Sequence, residues 1–199
     1  RKDPRVSPLF ADLAGLPLTT DAQTCLDVAL EYAGVGETGA ALRVLGVAAE
    51  REAHRALGQT AAGPLIEYHR AALGEDPVHT ADATWCFPSR LDDVAALERA
   101  DPADARALAL RGHWYYAVGR ADDALAAWRA SAALDPTDPV VWRNIGLAAW
   151  NHLCDADEAR AAYDRALAVA AADARLVFES DQLDARRGVP PERRLDRLL

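Results

Sequence analysis

The sequence predicts an all-α chain of antiparallel helix pairs, and three observations carry that expectation. Alanine, the strongest helix former, occurs 45 times in 199 residues, while β-branched residues are few. Glycine and proline punctuate the candidate helices. Most telling is an internal repeat, because Gly112 and Gly146 lie 34 residues apart, as do Pro102 and Pro136.

Taken in order, the opening segment holds a short helix over 9–14. A first helix pair spans 21–52, with Cys25, Ala29 and Tyr32 on one helix, a turn at Gly36, and Ala41, Leu45 and Ala48 on the next. A second pair spans 63–100, interrupted by an irregular stretch over 75–87. Pro88 is expected to open its second helix, with Ser89 and Asp92 as a capping pair. The clearest pairs span 104–134 and 138–170. Their first helices carry a bulky residue, then a small one four later: Leu108 and Gly112, then Trp142 and Gly146. Their second helices read Ala124–Trp128–Ser131 and Ala159–Tyr163–Ala166. The small residue lets two helices touch and the aromatic fills the gap beside it. The second helices match at a spacing of 35, which places a one-residue insertion near 151–155. Asp104, Asp138 and Asp173 stand at N-cap positions. The last pair, 173–199, has two registers. Asp173 lies 35 beyond Asp138, whereas Leu176, Ser180 and Leu183 favour 34 from Gly146. All five pairs read as one repeat domain over 1–199.

This pattern resembles the tetratricopeptide repeat (TPR), whose period is about 34 residues. The resemblance implies a TPR-like α-solenoid with a right-handed superhelical path. Three segments are more specific: WRNIGLAAWN (142–151), CFPSRL (86–91) and DARLVFESDQLDARRGVPPERRL (173–195). They resemble the repeat half of large bacterial proteins in which a galactose-mutarotase-like domain of unknown function precedes TPRs. Over about residues 20–199, this implies a sugar-handling domain ahead of the chain and further repeats after it. It brings no catalytic residue onto this sequence.

Composition excludes several classes. The net charge of −9 argues against a general nucleic-acid binder. No stretch approaches the roughly 18 apolar residues that span a bilayer, so no membrane partner is expected. Three dispersed cysteines, Cys25, Cys86 and Cys154, form no disulfide framework and suit a reducing, cytoplasmic compartment. The absence of methionine, even at position 1, reads as a piece of a longer protein. Of 22 basic residues only Lys2 is lysine.

In a TPR-like solenoid the first helix of each pair lines the binding groove. That face should carry His113, Tyr116, Arg143, Asn144, Leu147, Trp150 and Asn151, joined by Asp181 or Gln182 according to register, with Tyr68 approaching from the other side. Aromatics mixed with Arg, Asn and carboxylates suit a peptide or a sugar. The competing reading is that Tyr116 and Trp150 simply pack between helices. A basic-and-Asn clamp for a C-terminal carboxylate is matched only at Asn144 and Arg175. His152 and Cys154, with His113 and Cys86, lack a metal-ligand spacing, and Cys154 reads as a small apolar loop residue. Glu179, Asp181 and Asp184 read as solvated helix charges rather than paired catalytic acids. No phosphate loop or nucleophile arrangement is present, and no cofactor or metal is expected. The expected function is a non-catalytic scaffold that binds a protein, a peptide or an adjacent domain of its own chain. The alternative is an accessory repeat region of a carbohydrate-active enzyme that contributes to a sugar site.

Overall fold

The computed structural model describes residues 22–52, 62–76 and 86–198; the helix expected over 9–14 lies outside them. Why helices begin where they do is visible at their first turns. Asp104 accepts the backbone N–H of Ala107 at 3.0 Å. Asp138 accepts from Val140 and Val141 at 2.8 and 3.2 Å. Asp173 accepts from Arg175 and Leu176 at 2.9 and 3.1 Å. These three caps stand where the sequence places them, and Asp155 adds a fourth, accepting from Asp157 and Glu158 at 3.0 and 2.8 Å. Each satisfies N–H groups that the helix itself leaves unpartnered and stabilises it by about 1 kcal/mol.

Among the described residues there are ten α-helices and no strand: α1 Ala22–Gly34, α2 Thr38–Glu52, α3 Gly63–Ala72, α4 Leu91–Glu98, α5 Ala105–Ala117, α6 Ala121–Leu134, α7 Pro139–Ala148, α8 Ala156–Val169, α9 Ala174–Arg186 and α10 Pro191–Leu198. The chain forms two compact units, Arg1–Ala100 and Asp101–Leu199.

In the first unit α1 packs on α2, burying Cys25, Leu26 and Ala29 on one helix and Ala41, Leu45 and Ala48 on the other. α3 packs on both α2 and α4. The start of α4 corrects the sequence expectation. The helix begins at Leu91 rather than Pro88, and Asp93, not Asp92, closes its first turn. One Asp93 oxygen accepts the N–H groups of Ser89 and Arg90 at 2.9 and 3.0 Å, which holds Arg90 in extended backbone. The other oxygen lies 3.0 Å from His69 Nε2 on α3. Burial pushes the Asp93 carboxyl up, but the hydrogen bonds from His69 and the two backbone groups outweigh it and hold it below its ordinary value.

The second unit is a stack in which each helix from α5 to α10 packs on the next. Its core is built on the paired small and aromatic residues. A methyl group added at Gly112 would lie 2.4 Å from the Trp128 ring, and one at Gly146 would lie 2.8 Å from Tyr163. Ala124 and Ala159, on the facing helices, are fully buried. Trp128 Nε1 donates to the Ala109 carbonyl at 3.2 Å, and Ser131 Oγ donates to the Ala105 carbonyl at 2.7 Å. The indole thereby fills the seam and pairs its only polar group there.

The inserted residue appears as a π-helical turn, Ala149–Leu153, that extends α7. The N–H of Cys154 reaches back to the Ala149 carbonyl, and that of Asp155 reaches the same oxygen at 3.1 Å. In the preceding pair the corresponding closure is one residue shorter, from Arg120 to Tyr115 at 2.8 Å. One extra residue in a helix is absorbed by one wider turn. The turn ends with Cys154 in the left-handed region (φ 54°), where Gly119 stands one pair earlier (φ 80°). Cys154 is exposed there.

The insertion also settles the register of the last pair at 35. Val141, Ile145, Ala148 and Ala149 are buried, and so are Leu176, Ser180, Leu183 and Asp184 at that spacing. Asp181 therefore occupies the position of Gly112 and Gly146, and Arg194 that of Ala124 and Ala159. The described residues are all-α, and the second unit is a TPR-like stack of helix pairs. Because a left-handed conformation costs a non-glycine residue about 1 kcal/mol, Cys154→Gly should raise stability by about that amount in urea denaturation. An unchanged or lower midpoint would contradict the strain assigned to this turn.

Candidate binding face

The cap-fixed registers align three rows of positions along the first helices of the three pairs, and Ala109 of the first row is buried in the core. Going from α5 to α7 to α9, the rows read Ala109, Arg143, Phe178; His113, Leu147, Gln182; and Tyr116, Trp150, Ala185. Phe178 is 62% exposed, Gln182 is exposed, and Leu147 and Trp150 are half-buried. The second helices turn a different chemistry outward, with exposed Asp122, Asp123, Ala126, Ala130, Ala161 and Asp164.

The structure brings some of the expected groove residues together and separates others. Tyr116 and His113 both lean on Trp128, with ring centroids 5.5 and 6.0 Å away. Tyr116 also meets His152 of the π-helical turn edge-on at 5.3 Å. Trp150 packs beside Ala149, Ala159, Tyr163 and Leu183. Both large aromatics are thus partly packing residues that keep one edge at the surface. Asn151 is exposed on the turn, whereas Asn144 is buried. Asp181 does not join this face: it points to α10 and pairs with Arg194 at 3.0 Å. Tyr68, in the first unit, is buried.

Arg143 is committed within the chain. Its Nε and Nη2 donate to the two Glu179 oxygens at 2.6 and 2.7 Å, and its Nη1 donates to Asn144 Oδ1 at 2.9 Å. Arg175 Nε and the Tyr163 hydroxyl add hydrogen bonds to the same carboxylate at 2.9 and 3.1 Å. The side chains of Arg143 and Glu179 are only 16% and 20% exposed, so the pair is poorly screened. Burial acts to raise the Glu179 pKa, yet the hydrogen bonds from Arg143, Arg175 and Tyr163 hold it below the usual carboxylate range. Burial likewise acts to lower the Arg143 pKa, and the bond and charge of Glu179 reverse it. Tyr163 is pushed well above an ordinary phenol, first by burial and then by the Glu179 charge, so it remains a donor. This cluster ties α7, α8 and α9 together and presents a fixed shape to the face.

The acids expected as solvated charges are all paired: Glu179 with Arg143 and Arg175, Asp181 with Arg194, and Asp184 with Arg160. Sequence reasoning missed Glu179 as a structural partner because the two residues are 36 apart, one step off the repeat spacing. It also missed Phe178 as a face residue, since only the 35-residue register aligns it with Arg143. Among the described residues, no group of three or more His, Cys, Asp or Glu side chains is placed to hold a metal ion. No helix among them is long and apolar enough to cross a membrane.

The Glu179 cluster makes a pH prediction. A carboxylate whose folded pKa is depressed stabilises the fold above its unfolded pKa and loses that contribution as pH falls through the lower folded value. Glu179→Gln should therefore cost about 2 kcal/mol at pH 7, with the gap to the parent protein closing below about pH 4. A gap that stays constant with pH would contradict the assignment.

No family model matches the sequence. The fold is similar to that of solved structures. A crystal structure of MamA protein aligns over 89% of this chain and 86% of that chain, at 14% identity and a TM-score of 0.50. A second crystal structure of MamA covers 86% of this chain and 88% of its own, again at 14% identity and 0.50. A thermophilic TPR protein of Thermus thermophilus is similar over 88% and 85% of the two chains, at 18% identity and a TM-score of 0.46. At these identities the likeness is one of fold alone: helical repeats stacked in pairs.

Proposed function

We propose that this chain is a non-catalytic interaction module that holds a protein or peptide partner along the face of α5, α7 and α9. The observation that carries this reading is the exposure of Phe178 at the repeat position of Arg143, on the same helix series as half-buried Leu147 and Trp150. An exposed aromatic flanked by half-buried apolar side chains is the kind of residue that anchors a partner. Tyr116, Asn151 and Gln182 supply polar edges around it, whereas both His113 ring nitrogens are buried. Arg143, fixed by Glu179, shapes the face. An adjacent domain of the same chain is one form such a partner takes, in keeping with the sequence resemblance to proteins that pair TPRs with a mutarotase-like domain. Glu179, Asp181 and Asp184 are each paired with arginine, and nothing in their arrangement supports the carbohydrate alternative.

A random dodecapeptide display library panned on the full chain tests the proposal. Selected peptides should bind in calorimetry and lose at least about tenfold in affinity to Phe178→Ala with Trp150→Ala, a loss equal to about 1.4 kcal/mol. Asp122→Asn, on the outer surface, should leave affinity unchanged. Failure to select binders, or equal binding by the double variant, would refute this placement of the site.

A further inference from the structure

The first helices of the second unit differ in charge from the chain as a whole. The chain carries a net charge of −9, yet α5 and α7 contain Arg106, Arg111 and Arg143 and no carboxylate. Among the three first helices only α9 carries acids, and an arginine engages each one: Arg143 at Glu179, Arg194 at Asp181 and Arg160 at Asp184. Exposed acids lie instead on the second helices, at Asp122, Asp123, Asp157 and Asp164.

Glu179 shows where the balance tips, because one carboxylate meets two guanidinium groups. Arg143 holds both of its oxygens at 2.6 and 2.7 Å, and the Tyr163 hydroxyl adds a bond at 3.1 Å. Arg175 adds a bond at 2.9 Å through Nε, and its side chain is 58% exposed. Arg143 already matches the single charge of Glu179, so the charge of Arg175 is surplus. Asp173 does not cancel it: its carboxylate accepts the Arg175 and Leu176 N–H groups at the start of α9, where the helix dipole offsets a negative charge. Arg175 stands one turn before Phe178, on the same side of the helix. Exposed Gln182 and exposed Arg186 follow about one and two turns after Phe178, and Arg186 takes the repeat position of Asn151. The stripe along α9 therefore reads cation, aromatic, amide, cation.

We infer that the partner is an acidic segment in which Asp or Glu side chains flank an apolar one. Phe178 receives the apolar side chain, and Arg175 and Arg186 receive the carboxylates. The inference rests on the binding face proposed above and adds the chemistry of its partner. Arg175 turns to such a carboxylate at the loss of one hydrogen bond, while Arg143 and Tyr163 keep Glu179 in place. A basic segment meets like charge at both ends of the stripe.

The composition of dodecapeptides selected on the full chain tests it. Asp and Glu beside an apolar residue should be enriched about threefold over the unselected library, with Lys and Arg depleted. In calorimetry at about 0.05 M NaCl, exchanging a selected peptide's Asp and Glu for Asn and Gln should weaken binding about tenfold, and much less at about 0.5 M. Arg175→Glu with Arg186→Glu should reverse the preference toward basic peptides. Circular dichroism and the urea midpoint of that variant check that it remains folded. Binders without charge bias, basic binders, or a double variant that still selects acidic peptides would overturn this inference and leave the binding face standing. An empty selection would sink the face itself and this inference with it.

Discussion

The second unit depends on the approach of two helices so close that only glycine fits between them. At Gly112 and Gly146 the first helix of a pair offers bare backbone, and the second helix lays an aromatic ring on it. The ring excludes water from the seam, and in the first pair its N–H reaches a carbonyl of the helix beneath. Everything outward from that contact follows from its geometry. Alanines at 124, 159, 162 and 166 sit where any larger side chain would push the helices apart, and they are buried. The alanine excess in the sequence is therefore in part a packing requirement.

Much of this fold is legible in the sequence, for a physical reason. Glycine-on-aromatic contacts recur at a fixed spacing, and aspartate caps announce the helix starts, so the pattern is local and periodic. The last pair is harder to read because a π-helical turn changes the period from 34 to 35, and a glycine-to-aspartate exchange removes the marker that would reveal it. Cys154 shows the same effect in miniature. It takes the left-handed conformation that Gly119 announces one pair earlier, and nothing in its chemistry signals that role. The start of α4 is misread for another reason: Asp93 rather than Asp92 is selected by His69, a partner 24 residues away.

The candidate face is legible only in outline. Repeat positions nominate His113, Tyr116, Trp150 and Asn151, but they reveal neither that both His113 ring nitrogens are buried nor which charges are already satisfied. Arg143 looks like a ligand anchor in isolation and is in fact held by Glu179 through two parallel hydrogen bonds. The strong preference for arginine over lysine gains a structural meaning here. A planar fork bridges carboxylates on neighbouring helices, as at Arg143, and stacks on rings, as Arg120 does on Tyr115 and Arg165 on Trp142. A lysine ammonium does neither as well.

The glycine and the ring are matched to each other, rather than each being independently favourable. A double-mutant cycle of Gly112→Ala and Trp128→Leu, followed by chemical denaturation, measures that coupling directly. The added methyl should destabilise the parent protein but be tolerated once the indole is gone, a coupling of about 1–3 kcal/mol. Additive effects of the two substitutions would contradict it.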